Sequence, residues 1–355
     1  VRGHSNVQGD RTMGIFEKMP NDFHDALDKT FQFKSPRDPG YDVVMSIKAM
    51  HEERASVFFA MGGNFLQAAP ATDYTAEALQ KCSLTCHVST KLNRSHLVTG
   101  KSALILPCLG RSDRDPGLKG DQYITCENSM SIVQKSQGSL EPVSPHLRSE
   151  IAILAALGDQ LIGDTPNVRW SALARDYDLI RDLVEKVVPG FENFNERSRQ
   201  PGGFHLPNEA SQRIWDTPSQ RAEFANDDLD TLKVAKGHLV LQTFRSHDQY
   251  NTTVYGMDDR YRGIGHARRI VFLNPKDMEE RGIKPTRQVD LTSHWQGTTV
   301  TAKKFQAIPY DIPRGHAAAY FPEANVLVPV ESTAAISNTP TSKGIEISIA
   351  LSNPT

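Results

Sequence analysis

The chain has 355 residues, of which 38% are hydrophobic and 23% are charged. This length and composition predict a folded protein with two domains and sizeable apolar cores. The formal net charge is −2, from 40 basic and 42 acidic residues, which argues against nucleic acid or an anionic membrane surface as a main partner. No apolar run approaches the ~20 residues needed to cross a bilayer, so we expect no membrane span in this chain.

The cysteines and the first residues give information on the cellular compartment and on the start of the natural chain. Four cysteines are too few for a disulfide scaffold, and the C-x3-C spacing of Cys82 and Cys86 is not a standard zinc or iron–sulfur spacing. Reduced, buried thiols are therefore expected, and they fit a cytoplasmic location. The first residues contain no initiator Met and no signal-peptide pattern, so we expect the natural chain to extend upstream of Val1.

Short helical and strand patterns alternate in the first part of the chain. The helical segments are residues 41–50, 72–80 and 94–98, and the strand-like segments are residues 57–61, 84–88 and 103–106. This alternation predicts a parallel, Rossmann-like α/β sheet. We further expect a helix capped by Ser144 and opened by Pro145, and an amphipathic helix over residues 179–187.

From residue 238 the pattern changes to short β-rich runs. These runs are residues 239–244, 269–273, 288–292, 298–303, 317–321, 325–330 and 345–350. One helix interrupts them, with Asn274 as its N-cap and Pro275 at its first position. Many short strands predict a closed β-barrel. Since residues 190–230 lose periodicity, the predicted domains are an α/β domain (1–165), a helical segment and connection (166–235) and the β-barrel (236–355).

Four polar segments are candidate ligand loops, and each also has an ordinary structural explanation. Residues 2–10 and 245–253 concentrate polar donors without a helical or strand period, as ligand loops and solvated loops both do. Gly62 and Gly63 follow a strand, where they fit either a phosphate-binding turn or a tight turn into a helix.

The fourth segment, residues 337–343, ends in Lys343, which is either exposed on a turn or directed at a phosphate. His247 has no second histidine or carboxylate at ligand spacing, so the sequence predicts no metal site there.

Several longer motifs carry a family resemblance. They are RGHSNVQG at 2–9, FAMGGN at 59–64, HVSTKLNRSH at 87–96, RSHDQYNT at 245–252, DDRYRG at 258–263, PEANVL at 322–327, and NTP at 338–340 followed by Lys343. In this order they resemble the molybdopterin oxidoreductases, in particular the formate-dehydrogenase-like alpha subunits. The resemblance covers essentially the whole chain and implies the C-terminal half of such an enzyme.

The resemblance implies a fold, cofactors and site residues. The fold is a Rossmann-like sheet followed by a C-terminal double-psi-type barrel that closes over the pterins. The cofactors are Mo-bis(molybdopterin guanine dinucleotide) and, in the full-length enzyme, a [4Fe–4S] cluster. Arg2 would be catalytic beside the molybdenum, together with His4, which stands where related enzymes often carry Gln. The implied cofactor-binding residues are Met61, Gly62, Gly63, Asn64, Ser89, Thr90, Lys91, Asn93, Arg245, His247, Gln249, Asn251, Thr252, Asn325, Asn338 and Lys343.

The resemblance also implies an activity. The parent enzyme would remove two electrons from a small oxyanion, with formate as the first candidate, and pass them to an electron-acceptor protein. The cluster cysteines and the residue that ligates molybdenum are expected upstream, so this chain alone is expected to be inactive. Two alternatives remain open: another molybdenum enzyme that reduces an oxyanion or an N-oxide, and a non-catalytic nucleotide-binding fragment.

Overall fold

A computed structural model describes residues 5–16, 18–226, 228, 231–252 and 254–353, with the side chains of residues 5–7 left out. The contacts group the chain into two units. The first comprises the described parts of Val1–Gly40 and Pro107–Asp228, and the second those of Tyr41–Leu106 and Leu229–Thr355. Each unit is thus built from two separate stretches. The contiguous domain boundaries expected from the sequence stay a prediction.

Helices are distributed over both units. The α-helices are α1 (Ser5–Thr12), α2 (Asn21–Phe31), α3 (Val43–His51), α4 (Phe65–Ala68), α5 (Thr72–Lys81), α6 (Glu150–Leu161), α7 (Trp170–Arg175), α8 (Tyr177–Val187), α9 (Phe194–Ser198) and α10 (Pro275–Glu280). Short 3-10 helices span Arg94–Leu97, Glu209–Gln212 and Asn325–Leu327.

The strands fall into a small parallel sheet, minor sheets and a barrel. They are β1 (Val57–Met61), β2 (Leu84–Ser89), β3 (Ser102–Pro107), β4 (Pro116–Gly117), β5 (Gly120–Asp121), β6 (Ile124–Glu127), β7 (Ile132–Ser136), β8 (Phe204–His205), β9 (Leu239–Phe244), β10 (Ile270–Leu273), β11 (Gln288–Trp295), β12 (Thr298–Pro309), β13 (His316–Tyr320) and β14 (Lys343–Leu351).

The second unit contains the α/β sheet that the sequence predicts. Its strand order is β1-β2-β3, and β1 pairs in parallel with β2. Helices α3 and α5 pack together on one side, where Ile47 and Leu79 are fully buried in one cluster with Phe58 packed against it. Asp42 caps α3, because its carboxylate accepts a hydrogen bond from the Met45 N–H at 2.8 Å. The prediction of a parallel sheet among helices is confirmed.

The same unit contains the closed barrel. Its strands follow one another in the order β10-β12-β11-β14-β9-β13. Two neighbouring pairs, β10 with β12 and β9 with β13, are parallel, and the other pairs are antiparallel. The interior is filled by fully buried apolar side chains such as Leu241, Leu291 and Phe305. A closed six-stranded barrel in the C-terminal part is therefore confirmed.

Two local predictions are wrong. Residues 325–330 do not form a strand: Asn325–Leu327 is a 3-10 helix whose N–H groups bond three residues back, and Pro329 has no N–H to give to a strand ladder. The helix predicted at Ser144 begins only at Glu150. Ser149 is its cap, and its hydroxyl accepts a hydrogen bond from the Ala152 N–H at 3.2 Å.

The first unit has an aromatic core that the sequence did not reveal. Phe191, Phe194 and Phe204 meet edge to face with ring centroids 4.6–5.9 Å apart. They come from the segment expected to be a connection, because isolated aromatic residues produce no periodicity even where the fold gathers them. Strand β8 pairs with β7, which pairs with β6. In the described part of the chain, no helix is long and apolar enough to cross a membrane.

Candidate functional site

The carboxyl ends of β1 and β2 bring two predicted ligand segments together. Met61 lies opposite Val88 in the parallel register, and the Gly62 N–H donates to the Val88 carbonyl at 2.7 Å. The Asn93 amide donates to the Gly63 carbonyl at 2.8 Å. Residues 61–64 and 89–93 therefore share one sheet edge, which is where open α/β sheets bind their ligands.

The glycine turn at this edge is open. Gly62 and Gly63 have φ values of +69° and +73°, and no atom lies within 4 Å of a Cβ built on either. Glycine is needed here because other residues pay a steric cost in this left-handed region. Asn64 stabilises the turn. It is 5% exposed, and its side-chain oxygen accepts a hydrogen bond from the Ser95 hydroxyl at 2.9 Å. The turn thus offers backbone groups to a ligand while Asn64 fixes its shape.

Two buried histidines beside the turn have unpartnered nitrogens. His96 Nδ1 accepts a hydrogen bond from the Asn93 N–H at 3.0 Å, which places the proton of the neutral ring on Nε2. The Nε2 atoms of His96 and His87 are both buried without a partner among the described residues. The two rings lie 4.8 Å apart, and burial, followed by the neighbouring His96, lowers the pKa of His87. Both histidines belong to the motif at 87–96, but the sequence alone did not indicate them as site residues.

The loop after β2 exposes its remaining polar groups. The Ser89 hydroxyl donates to the Lys91 carbonyl at 2.7 Å, so Ser89 shapes the loop. Thr90 and Lys91 are exposed, and Lys91 has no ion-pair partner in the part of the chain that the structure describes. Their contact with a bound ligand stays a prediction.

In the barrel loop after β9, Gln249 is a structural residue. Its side-chain oxygen accepts hydrogen bonds from the Ser246 N–H at 3.0 Å and from Arg268 Nη2 at 2.9 Å. Its amide nitrogen donates to the carbonyls of Asn251 and Phe321 at 2.8 and 2.7 Å. Because both ends of the amide are engaged within the protein, Gln249 holds the loop in shape.

A buried carboxylate anchors the other side of this loop. Asp259 is 1% exposed, and it accepts hydrogen bonds from Arg262 Nη1 at 2.6 Å, the Tyr320 hydroxyl at 2.7 Å and the His247 N–H at 3.2 Å. Burial alone would raise the pKa of Asp259, but the bonds from Tyr320 and Arg262 hold that pKa below its usual value. The His247 ring contacts the Tyr261 ring, with centroids 3.6 Å apart.

Two cationic side chains lie near each other in the barrel. Lys343 Nζ donates to the Thr243 carbonyl, and Arg245 Nη2 donates to the Asn251 side-chain oxygen at 2.5 Å. Burial lowers the pKa of Lys343, and the charge of Arg245 lowers it further. Among the described residues, no carboxylate forms an ion pair with either cation. Two neighbouring uncompensated cations are suited to an anion such as a phosphate or a pyrophosphate.

The other candidate residues of the barrel are buried or hydrogen-bonded within the protein. Asn325 is 2% exposed, and its amide donates to the carbonyls of Gln67 and Ala68 at 2.7 and 3.3 Å. The Asn338 amide donates to the Asp42 carboxylate at 2.9 and 3.1 Å, and Thr252 is buried. Asn325 and Asn338 therefore use their donors to join barrel segments to α4 and to the cap of α3.

The predicted catalytic residues Arg2 and His4 lie outside the described residues, so their roles stay predictions. Within the described ranges, no group of three or more His, Cys, Asp or Glu side chains could hold a metal ion. The four cysteines are free thiols, and Cys82, Cys86 and Cys108 are buried.

The buried Asp259 leads to a prediction on pH. Because its folded-state pKa is depressed, Asp259 contributes stability above its unfolded pKa, and this contribution is lost as the pH falls from about 4 through the folded value. We expect Asp259→Asn to lower the free energy of unfolding by about 3 kcal/mol at pH 7. The variant should also lose part of the decline in stability below pH ~4.

Urea denaturation between pH ~7 and ~3 measures this effect. Asp258→Asn is the control, because that neighbouring carboxylate is 62% exposed. If Asp259→Asn kept the wild-type pH slope, Asp259 would not be the titrating group.

A known protein family matches the sequence of the barrel region. Residues 239–346 match the family model described as "Molydopterin dinucleotide binding domain". This range includes Arg245, Gln249, Asn325 and Lys343. The sequence match and the cation pair thus fall in the same part of the fold.

Full-length relatives extend the similarity over the whole chain. An uncharacterized oxidoreductase of Mycobacterium tuberculosis is 53% identical over 351 residues, which are 97% of this chain and 45% of the relative. Protein YdeP of Escherichia coli is 39% identical over 359 residues, with 99% and 47% of the two chains covered. The chain therefore spans about half the length of the curated relatives it matches.

A solved structure shows a similar fold. Acetylene hydratase from Pelobacter acetylenicus matches with a TM-score of 0.59 at 12% identity, over 98% of this chain and 51% of that protein. At this identity the likeness concerns the fold alone. The sequence relatives and the matched domain together lead to one assignment. The chain belongs to the molybdopterin oxidoreductase family, as a C-terminal region that carries the molybdopterin dinucleotide-binding domain.

Proposed function

We propose that this chain is the cofactor-holding half of a molybdenum enzyme that oxidises a small oxyanion, formate in the first instance, by two electrons. The cofactor would be Mo-bis(molybdopterin guanine dinucleotide), and the barrel would have the double-psi topology. The observation that carries the proposal is the pair Arg245 and Lys343, which lacks a described carboxylate partner and lies inside the matched domain. The names of the oxidoreductase relatives give independent support.

The chemistry of the described residues fits such a dinucleotide. Gly62 and Gly63 leave open backbone beside the sheet edge, as a phosphate requires. The buried, unpartnered Nε2–H of His96 is a donor that a polar ligand could satisfy, and leaving it unsatisfied costs free energy. Arg245 and Lys343 supply positive charge in the barrel. Polar acceptors of a pterin or a guanine and the charges of a pyrophosphate would thus both find partners.

The residues of this chain would bind and orient the cofactor and the substrate. Arg245 and Lys343 would hold phosphate oxygens, while Gln249 and Asp259 keep the barrel loop in shape through hydrogen bonds within the protein. Arg2 would hold the negative charge of the substrate through two parallel hydrogen bonds, because its guanidinium stays charged at any working pH. Bound molybdenum supplies the two-electron redox chemistry.

The remaining parts of the proposal concern the whole enzyme. Electrons would leave through an upstream [4Fe–4S] cluster to an acceptor protein, and the cluster and molybdenum ligands would lie outside this chain. The free thiols fit a reducing compartment, and we propose a cytoplasmic location.

Arg2→Lys tests the substrate contact. In the full-length enzyme we expect formate-dependent dye reduction to fall by about 10²–10³-fold, because Lys lacks the planar fork that binds a carboxylate bidentately. Molybdenum content is measured in parallel to show that the cofactor is loaded. The exposed Arg260→Lys is the matched control. An unchanged rate at full molybdenum loading would show that Arg2 does not bind the substrate.

A substrate panel on the same full-length enzyme tests the substrate class. Formate should support dye reduction, whereas nitrate and an N-oxide should not support oxidation of reduced dye. The reverse pattern would replace the formate assignment with that of a molybdenum reductase.

A further inference from the structure

A large polar cleft lies in the second unit, lined by none of the candidate cofactor residues. Its volume is about 690 Å³, within the ~300–1,000 Å³ typical of small-molecule sites. Gln67 and Thr72, from the α4–α5 region, line it together with Arg269, Lys304 and Gln306 of the barrel. All of these residues belong to the same compact unit.

The cleft carries an excess of positive charge. Four Arg and Lys side chains line it against two carboxylates, Asp73 and Glu323. Glu323 is already engaged, because the buried Arg268 donates to it at 2.7 and 3.1 Å. The other cations, Arg94, Arg269 and Lys304, have no ion-pair partner among the residues that the structure describes.

Neutral groups complete the lining. Thr301, Gln288 and Gln306 offer hydroxyl and amide hydrogen-bonding groups, and Tyr255 and Met257 add a less polar wall. This mixture of cations, neutral donors and an aromatic ring is suited to a ligand with a charged end and a flatter organic part.

The amino end of α5 reinforces the positive potential. Thr72, the first residue of this ten-residue helix, lines the cleft, and Ala71 before it provides no side-chain cap. Asp73 in the first turn offsets part of the helix dipole and lies on the same wall. The helix thus adds to a preference for anions that the three unpaired cations create.

We propose that this cleft binds a small phosphorylated ligand with at least two negative charges, at a site separate from that of the dinucleotide. The uncompensated cations Arg94, Arg269 and Lys304 would contact its phosphate oxygens, and Tyr255 would contact its organic part. A cleft of this volume favours a small molecule over an extended polypeptide.

Calorimetric titration of the full-length protein at low salt, with pyrophosphate and with ADP as probes, tests this proposal. We expect saturable binding that weakens at least tenfold in Arg269→Gln/Lys304→Gln and also weakens as salt is added. Both substituted side chains are exposed, and circular dichroism shows whether the variant is folded. Lys303→Gln removes one charge from the same strand at a residue that does not line the cleft, and it should bind as the wild type does.

The cofactor site is tested separately with Lys343→Gln, which should leave pyrophosphate binding at the cleft unchanged. Equal binding by wild type and Arg269→Gln/Lys304→Gln, or no binding of either probe, would overturn the proposal. Loss of binding in Lys343→Gln alone would assign the anion to the cofactor site. If a glutamate-rich peptide displaced pyrophosphate and bound more tightly, the occupant would be an acidic polypeptide and the small-ligand proposal would be wrong.

Discussion

Replacing Arg268 with methionine is expected to lower the free energy of unfolding by about 3–5 kcal/mol, because the change breaks a buried charge pair. Arg268 is 4% exposed, and its guanidinium contacts Glu323 at 2.7 Å and the Ser246 hydroxyl at 2.8 Å. It also donates to Gln249 at 2.9 Å and to the Phe321 carbonyl at 2.8 Å. Methionine fills a similar volume but supplies none of these donors.

The loss of stability in Arg268→Met is large because the hydrogen-bond acceptors of Arg268 lose their donor. Glu323 would retain a carboxylate that is only 20% exposed, and a buried polar group without a partner costs more than a hydrogen bond contributes on average. Gln249 would also lose a bond, so the loop that carries Arg245 should become less ordered. We therefore expect faster amide exchange across residues 245–252 as well as a lower unfolding midpoint.

Two variants control this experiment. Arg260→Met removes a cation whose side chain is 73% exposed, and it should change stability by no more than about 0.5 kcal/mol. Arg268→Met/Glu323→Leu removes both members of the pair and should recover part of the lost stability. A change of less than about 1 kcal/mol for Arg268→Met would mean that this network does not support the barrel.

Several parts of the fold could be predicted because the signal is local. The apolar run 57–61 ends at Gly62, and the strand and turn found there follow from pattern and residue type alone. The Asn274 cap and Pro275 likewise predict α10 directly, and the Asn274 side chain accepts a hydrogen bond from the Lys276 N–H at 2.9 Å. The barrel was predicted from its many short strands.

Other parts could not be predicted because they depend on distant contacts. Phe191 and Phe204 form a core only when β8 pairs with β7, and the local sequence does not indicate that pairing. The roles of polar residues also change on folding. Gln249 is expected in the ligand site from its motif, yet its amide bonds to Phe321, 72 positions along the chain. The buried, unpartnered Nε2 of His96 likewise results from folding, and its local sequence does not indicate it.

Replacing Arg245 and Lys343 together with glutamine is expected to strip the cofactor from the full-length protein. Each cation should contribute about 1.5–3 kcal/mol as a charge-assisted contact to phosphate, so losing both should weaken binding by about 10²–10⁴-fold. Burial and the charge of Arg245 lower the pKa of Lys343. A bound phosphate would favour the charged ammonium, so binding should release this unfavourable interaction.

Guanine nucleotide and molybdenum bound after purification are the quantities to measure in this double variant. Lys276→Gln/Lys284→Gln is the control, because it removes the same charge from two exposed positions outside the candidate site. Full cofactor content in Arg245→Gln/Lys343→Gln would exclude these two residues as the phosphate contacts, even if the protein binds the cofactor elsewhere.

The most direct test of a cofactor-holding half is the cofactor content of the wild-type full-length protein, produced in cells that load molybdenum enzymes. Metal analysis and acid release of nucleotide should find molybdenum together with guanine nucleotide, two dinucleotides for each metal atom. A folded, full-length protein that contains neither molybdenum nor pterin, prepared beside a molybdenum enzyme that is fully loaded, would contradict the account.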